Sequence, residues 1–294
     1  MVCSCLSSPV PCGLGLSGAS SRRLAPRVRR SCACWRTTLR ALAEEARVTT
    51  PGDQDTYAQN AEFWVKIIRQ GLDRYRAELT DAAVLDAIGS CDGLAVLDGG
   101  CGEGYLSRYL AMRGATVSGI DTSGALIAAA EQECERLSLA VEYQVASLEA
   151  IPYPAKHFDV VVCNHVMSDV ADPEAALKEI GRVTNSGGKL VLLMLHPCFY
   201  TAHAERGDHG DLPVDVYFST RRIDQKFNVA GIESPTEVHM NFRPLEYYMS
   251  LLTDSGYVVT QLREPHPTRE QLQHEWWRKN FVKPLFMLVV GERC

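Results

Sequence analysis

Residues 94–110 read LAVLDGGCGEGYLSRYL, an apolar run carrying one acid, Asp98, followed by three alternating glycines, Gly100, Gly102 and Gly104. Glycine serves where a backbone bends sharply or comes close to a ligand, because it has no side chain. A strand that runs into such a loop and then into a helix opens two kinds of nucleotide site. The dinucleotide version needs GxGxxG, with its third glycine at the helix–strand contact. Counted from Gly100 that place holds the bulky Tyr105, and the glycine falls one residue early. The pattern is Asp98-x-Gly100-x-Gly102-x-Gly104, which turns the reading away from a dehydrogenase.

Strands and helices alternate outward from this loop. LAVLD (94–98) reads as a buried strand, GYLSRYLAMRG as a helix stopped by Gly114, and ATVSGID (115–121) as a second strand. SGALIAAAEQECERL is a helix with Ser123 as its N-cap, and VEYQVAS and FDVVVCNHV give strands three and four. DPEAALKEIGRVT is a helix with Pro173 in its first turn, and Gly187–Gly188 lead into a fifth strand, KLVLLML. Alternation with near-continuous apolar strands predicts an α/β fold, a parallel sheet covered by helices on both faces. Upstream, Phe63, Val65, Ile68, Leu72 and Tyr75 recur at helical intervals, which predicts one amphipathic helix over 55–78 and a shorter one over 81–88 ending at Gly89. Residues 197–242 break the rhythm, with patches such as DVYFST and EVHMNF that suggest a small β-rich lid. RPLEYYMSLLTDSG, YVVTQL and PLFMLVVG then resume as a helix and two strands.

Asp98-x-Gly100-x-Gly102-x-Gly104 after a first strand resembles motif I of the class I S-adenosylmethionine (SAM)-dependent methyltransferases. Two further stretches agree. Asp121 closes the second strand, and SLEAIPYPAKHFDVVVCNHVMSDVADPEAALKEIGRVTNSGGKLVL is similar to that family almost without gaps, so the resemblance covers residues 94–195. It implies a Rossmann-like, doubly wound seven-stranded sheet, mostly parallel with the last strand antiparallel, and SAM as methyl donor. It also implies the donor's contacts. The glycine loop (Gly100, Cys101, Gly102, Gly104) would pass under the methionine part, with Asp98 near its ammonium. Asp121 would accept from both ribose hydroxyls, with Thr122 beside it. Ser147 and Leu148 resemble the adenine-facing pair. The usual residue at 147 is Asp, so the Leu148 N–H is expected to matter more than the serine. Asn164 would serve the methionine end, and Tyr57 resembles the aromatic residue with which a leading helix covers SAM.

For the methyl acceptor, the candidate proton acceptors are His165, Asp169 and His196, all near carboxyl ends of predicted strands; a proton on oxygen or nitrogen often has to be removed by such a group. His165 reads equally as a wall residue, and His196, in LMLHPCFY, as a structural group fixing the turn before Pro197. Tyr200 joins His165 and His196 as a candidate at the reacting centre. Tyr57, Phe63, Trp64, Tyr200, Tyr247 and Trp276–Trp277 could crowd one mouth, which suggests a sizeable apolar acceptor. The NAEFW helix, the HPCFY turn and the use of 23 Arg against 7 Lys look like actinobacterial natural-product C-methyltransferases of the teleocidin-pathway type. These methylate a prenyl-chain alkene and start a terpenoid cyclisation. Methylation of a quinone or sterol intermediate on oxygen or nitrogen, and a SAM-binding scaffold without catalysis, are the alternatives.

The 294 residues carry a net charge of −6 with no basic stripe beyond the N-terminal segment, which argues against a nucleic-acid partner. No apolar run reaches the ~20 residues of a membrane span. Residues 1–43 hold seven Arg and no Lys, Asp or Glu, so they read as a transit-like segment or as upstream sequence from a mis-assigned start. Residues 1–47 are expected to be disordered. A helical cap (48–90), a SAM-binding core (91–195), a lid (196–242) and a completion of the sheet (243–294) follow. A bacterial cytoplasm is the expected compartment, or a plastid or mitochondrion if the leader is genuine. The scattered cysteines support no metal site, and the long first helix and Trp- and Phe-rich tail suggest a homo-oligomer.

Overall fold

Successive side chains of a strand point to opposite faces. Here both faces are apolar: Val160 and Val162 pack with Val96, Val191 and Leu193, while Val161 and Cys163 pack with Leu97, Leu190 and Leu192. Strands buried on both sides require helices on both sides. The computed structural model describes residues 56–200 and 214–294 and has this layering. The expectations for residues 1–47 and for 201–213 of the lid lie outside the described residues.

In chain order the strands are β1 (Ala95–Gly99), β2 (Thr116–Asp121), β3 (Glu142–Val145), β4 (Phe158–Asn164), β5 (Thr184–Leu195), β6 (Arg221–Gln225), β7 (Asn228–Val229), β8 (Ile232–Glu233), β9 (Val238–Phe242), β10 (Tyr257–Arg263) and β11 (Phe286–Arg293). Seven form one sheet in the order β10-β11-β5-β4-β1-β2-β3. β11 runs antiparallel to both its neighbours, and the pairs β1–β2, β1–β4, β2–β3 and β4–β5 are parallel, which is the sheet that the sequence predicts. The chain steps from β1 to β3 on one side and returns to β4 on the other. β1 therefore lies at the switch point, where such sheets open a crevice beyond their carboxyl ends.

The helices are α1 (Thr56–Gln59), α2 (Ala61–Arg69), α3 (Asp81–Ile88), α4 (Tyr105–Ala111), α5 (Gly124–Leu137), α6 (Pro173–Val183), α7 (Val214–Tyr217), α8 (Leu245–Asp254) and α9 (Glu275–Asn280). α6 and α8 cover one face through Leu177, Ile180, Tyr248 and Leu252, and α3 and α4 cover the other through Val84, Ala87, Leu106 and Leu110. Local chemistry sets their starts. The Ser123 hydroxyl accepts from the Leu126 N–H to cap α5, and Asp172 accepts from the Ala175 N–H to cap α6. In the insertion, β6 pairs with β9 and β7 with β8, both antiparallel.

The continuous helix expected over 55–78 is instead interrupted twice. Asn60 separates α1 from α2, its side chain spent on the Thr236 N–H (3.0 Å) and carbonyl (3.3 Å). After Arg69 the chain turns through 70–73, and Asp73 Oδ1 accepts from the Arg76 N–H (3.2 Å), which starts a new helical segment with a wider π turn over Arg76–Thr80. Apolar spacing carried no sign of that second start, because Asp73 reads equally as a solvent-facing helical residue.

Gly104 opens α4 with φ +77, and a Cβ there would strike the Tyr143 ring and hydroxyl and come within 2.9 Å of Ala130 Cβ. Gly104→Ala should therefore destabilise the protein by about 1–3 kcal/mol from backbone strain alone, with the collision adding to it. Thermal unfolding should show a fall of several degrees; an unchanged midpoint would contradict the geometry.

Candidate active site

The acids at the carboxyl ends of β1 and β2 are placed by the backbone around them. Asp98 points off a buried strand, and its Oδ2 accepts from the Ser107 hydroxyl at 2.6 Å. Burial raises its carboxyl to about 6, against the opposing pull of Ser107 and the Arg76 guanidinium. Asp121 accepts from the Gly102 N–H through Oδ2 (2.9 Å) and from the Ser123 N–H through Oδ1 (2.8 Å). Burial pushes this carboxyl up, and the two N–H groups oppose the shift. A carboxylate oxygen can take more than one donor, so Asp121 keeps acceptor capacity beyond the two backbone bonds.

Beyond these strand ends lies a cavity of about 450 Å3, lined by Asp98, Gly100, Cys101, Gly102, Asp121, Thr122, Ser147, Leu148, Asn164 and Tyr57 among others. Ten of the eleven donor-site residues expected from the sequence thus share one cavity. The exception is Gly104, which does not line it; its need for glycine comes from Tyr143. Gly100, at φ +73, is held close to Val166, whose Cγ2 lies 2.5 Å from where a Cβ would be. Ser147 spends its hydroxyl as acceptor for the Glu149 N–H (3.1 Å), whereas no protein acceptor meets the Leu148 N–H among the described residues. Asn164 donates from Nδ2 to the Tyr105 hydroxyl (2.6 Å), which donates to Asp81 (2.9 Å), and the buried Asn164 Oδ1 has no partner.

A second cavity of about 130 Å3 adjoins the first and shares Tyr57, Trp64, Arg76, His165 and Asp169 with it. Its own walls include Tyr75, Leu195, Tyr200, Phe227, Met240 and Phe286, and are mainly apolar. Tyr57, expected as a cover for the donor, stands between the two cavities and donates to Asp169 Oδ2 at 3.0 Å. Tyr200 stacks on Phe242 (5.2 Å) and accepts from Gln225 Nε2 (2.8 Å). His165 follows β4 at φ +62 and sets its ring edge-on to Phe286. Burial and the Arg76 charge lower it to about 3, so it is a neutral imidazole.

His196 lines neither cavity. Its Nδ1 accepts from the Cys198 N–H (3.2 Å) and its Nε2 is bonded to Glu264 (3.0 Å), so both nitrogens hold the turn after β5. Of the two readings left open for this residue, the geometry has the structural one. Tyr247 and Trp277 are likewise absent from the mouth: Tyr247, on α8, is buried in the core on the α6 side of the sheet, and Trp277 is buried on the opposite face with its Nε1 donating to Glu78.

Arg76 is the residue that sequence reasoning missed. It lines both cavities, lies with Cζ 4.5 Å from the Tyr105 ring centre, and makes no ion pair among the described residues. Only the break at 70–73 aims it inward, so no pattern could have flagged it. Glu103 was also unmarked. Fully buried within the glycine loop, it receives Arg108 Nη2 on both oxygens (2.8 and 2.9 Å) and Arg69 Nε on one (2.8 Å), which fastens α2 to the loop. From the insertion, His239 and Asn241 on β9 close the larger cavity.

Residues 97–192 match the methyltransferase domain family. A ubiquinone biosynthesis O-methyltransferase of Coxiella burnetii is 39% identical over 98 residues, 33% of this chain and 42% of that relative, so the match spans less than half of its length. The namesake from Pseudomonas entomophila is 30% identical over 190 residues, covering 60% of this chain and 81% of the relative. Among solved structures, an S-adenosylmethionine dependent methyltransferase from Mesorhizobium loti superposes with a TM-score of 0.58 at 22% identity, covering 76% of this chain and 100% of that one, a likeness of fold.

Glu103→Ala would leave the buried Arg108 without its carboxylate, a loss of about 3–5 kcal/mol for breaking a buried pair. Denaturant unfolding should record it, and a curve superimposable on the parent's would show that the clamp contributes nothing.

Proposed function

The chain belongs to the class I SAM-dependent methyltransferases, and we propose that it transfers a methyl group from SAM to a small, largely apolar molecule received by the aromatic cavity. The observation that carries this reading is the pairing of two cavities across Tyr57, Arg76, His165 and Asp169. The larger offers donors and acceptors suited to SAM, and the smaller offers mainly ring and aliphatic walls.

The residues fit the donor. Asp121 would accept from the ribose hydroxyls, and its anchored geometry costs no reorganisation. Asp98 would meet the ammonium, whose charge would draw the raised carboxyl back toward ionisation. Arg76 would meet the carboxylate, the Leu148 N–H the adenine, and the open space over Gly102 would admit the chain between them. Bound SAM supplies a methyl group already activated on a sulfonium. The protein's part is then to align an acceptor with it and to keep water out, the positional share of catalysis.

The relatives' name supports a quinone-like acceptor methylated on oxygen. The rings of Trp64, Tyr75, Tyr200, Phe227 and Phe286 support a second reading, methylation of an alkene carbon with coupled cyclisation, because ring faces stabilise a carbocation. The two differ in product: a methyl ether in one case, a new carbon–carbon bond in the other.

Calorimetry should detect SAM binding, and Asp121→Ala should weaken it more than tenfold, a loss of roughly 1.4 kcal/mol or more. Methyl-labelled SAM incubated with metabolite extracts should then yield a labelled small molecule. A protein that binds no SAM would end the proposal, and one that binds SAM without labelling anything would be a scaffold.

A further inference from the structure

Asp169 follows β4 in the loop that forms the wall between the cavities, and its two oxygens are treated differently. Oδ2 receives the Tyr57 hydroxyl, whereas Oδ1 is buried without any hydrogen-bond partner. An unpaired buried acceptor costs free energy unless a ligand satisfies it. Trp64, which lines the same two cavities, has its Nε1 donor buried without a partner as well. An acceptor molecule that satisfies both must donate one hydrogen bond and accept another between apolar walls.

We propose that Asp169 takes the proton of a hydroxyl on the methyl acceptor, so that the acceptor is a small phenol- or enol-type molecule methylated on oxygen. This rests on the methyltransferase reading above and deepens it. The bond formed joins the hydroxyl oxygen to the methyl carbon. The bond broken is that between the methyl carbon and sulfur, whose electron pair stays on sulfur as a neutral thioether. The hydroxyl proton passes to Asp169 Oδ1 and then to solvent once product has left. Tyr57 is a positioning residue: its donated hydrogen bond holds the carboxylate and favours the charged form.

The surroundings separate the two candidate bases in this loop. Tyr57 from α1, Ser168 beside it and Asp121 from the end of β2 act on Asp169 directly; Asp73, Arg76, His165, Tyr200 and His239 line the cavities around it. Burial, with the Asp121 charge, raises Asp169 to about 8 against the Tyr57 hydrogen bond and the opposing influence of the adjacent Ser168 hydroxyl. His165, lowered to about 3, is too weak a base at neutral pH. Groups whose environments push them apart in this way have separate tasks.

Turnover of a panel of small phenols, with size-matched alkenes as controls, should be measured with methyl-labelled SAM. For a phenol that is methylated, kcat/KM should rise with pH up to about 8 and level off above it, because the protonated carboxyl cannot take a proton. Asp169→Asn should lower kcat/KM by a hundredfold or more and remove that pH limb, while SAM affinity by calorimetry stays within twofold. Tyr57→Phe should move the limb to higher pH. A readout independent of any acceptor is stability. Between pH ~4 and ~8 the folded chain holds a proton on Asp169 that the unfolded chain has released, so the parent loses stability as pH rises through that window. Asp169→Asn lacks this loss, and its melting temperature should gain on the parent's between pH 4 and 8. A constant difference would overturn the proposal, as would label transfer to alkenes alone, to no phenol despite SAM binding, or to phenols at an undiminished rate in Asp169→Asn. Loss of SAM binding in the parent would instead overturn the broader reading.

Discussion

The carboxylate of Asp121 is held between two backbone N–H groups, those of Gly102 and Ser123, and this arrangement fixes the glycine-loop wall of the larger cavity. The bond to Gly102 crosses from β2 to the glycine loop, and the N–H groups of Gly100 and Cys101 reinforce it by donating to the Ile120 carbonyl (2.8 and 3.0 Å). A bond to a charged acceptor contributes about 1.5–3 kcal/mol, so the loop is tied to its neighbouring strand rather than left to find its shape on binding. From that anchored loop follow the placement of Asp98 behind it, of α4 after it, and of the open ground above Gly102.

The crevice then uses burial to separate its ionisable groups. Asp98, Asp169 and His165 line one continuous space, yet desolvation drives the carboxyls up, to about 6 and about 8, and the imidazole down to about 3. The uncharged form is favoured in each case, as expected where water is scarce. Arg76 acts on two of them, opposing the rise of Asp98 and adding to the fall of His165.

Three contacts between distant parts of the chain assemble the roof. Arg69 reaches Glu103 and so brings α2 to the glycine loop. Asn60 exchanges two hydrogen bonds with the backbone of Thr236, joining the start of α2 to the insertion, and the Asn241 N–H donates to the Ser168 carbonyl at 2.7 Å. Tyr57 and Asp169 meet beneath them. The wall that the two cavities share is therefore made by residues from the first helices and the loop after β4, which the insertion holds in place.

Much of the fold was legible because its signals are local. Alternating side-chain direction wrote both faces of β4 into FDVVVCN, Ser123 and Pro173 announced the starts of their helices, and the spacing of Gly100, Gly102 and Gly104 marked the loop that leaves β1. What the sequence left open depended on which distant groups meet and on how far water is excluded. Arg76 turns inward only because Asp73 restarts the helix, and His196 is committed to a turn by Glu264, 68 positions away. Asp169 gains its proton affinity from burial, against the hydrogen bond it receives from Tyr57, 112 positions earlier in the chain. Periodicity and capping are properties of neighbouring residues and survive in a linear text; desolvation and convergence arise only when the chain is packed, and they decide which of the candidate groups can act.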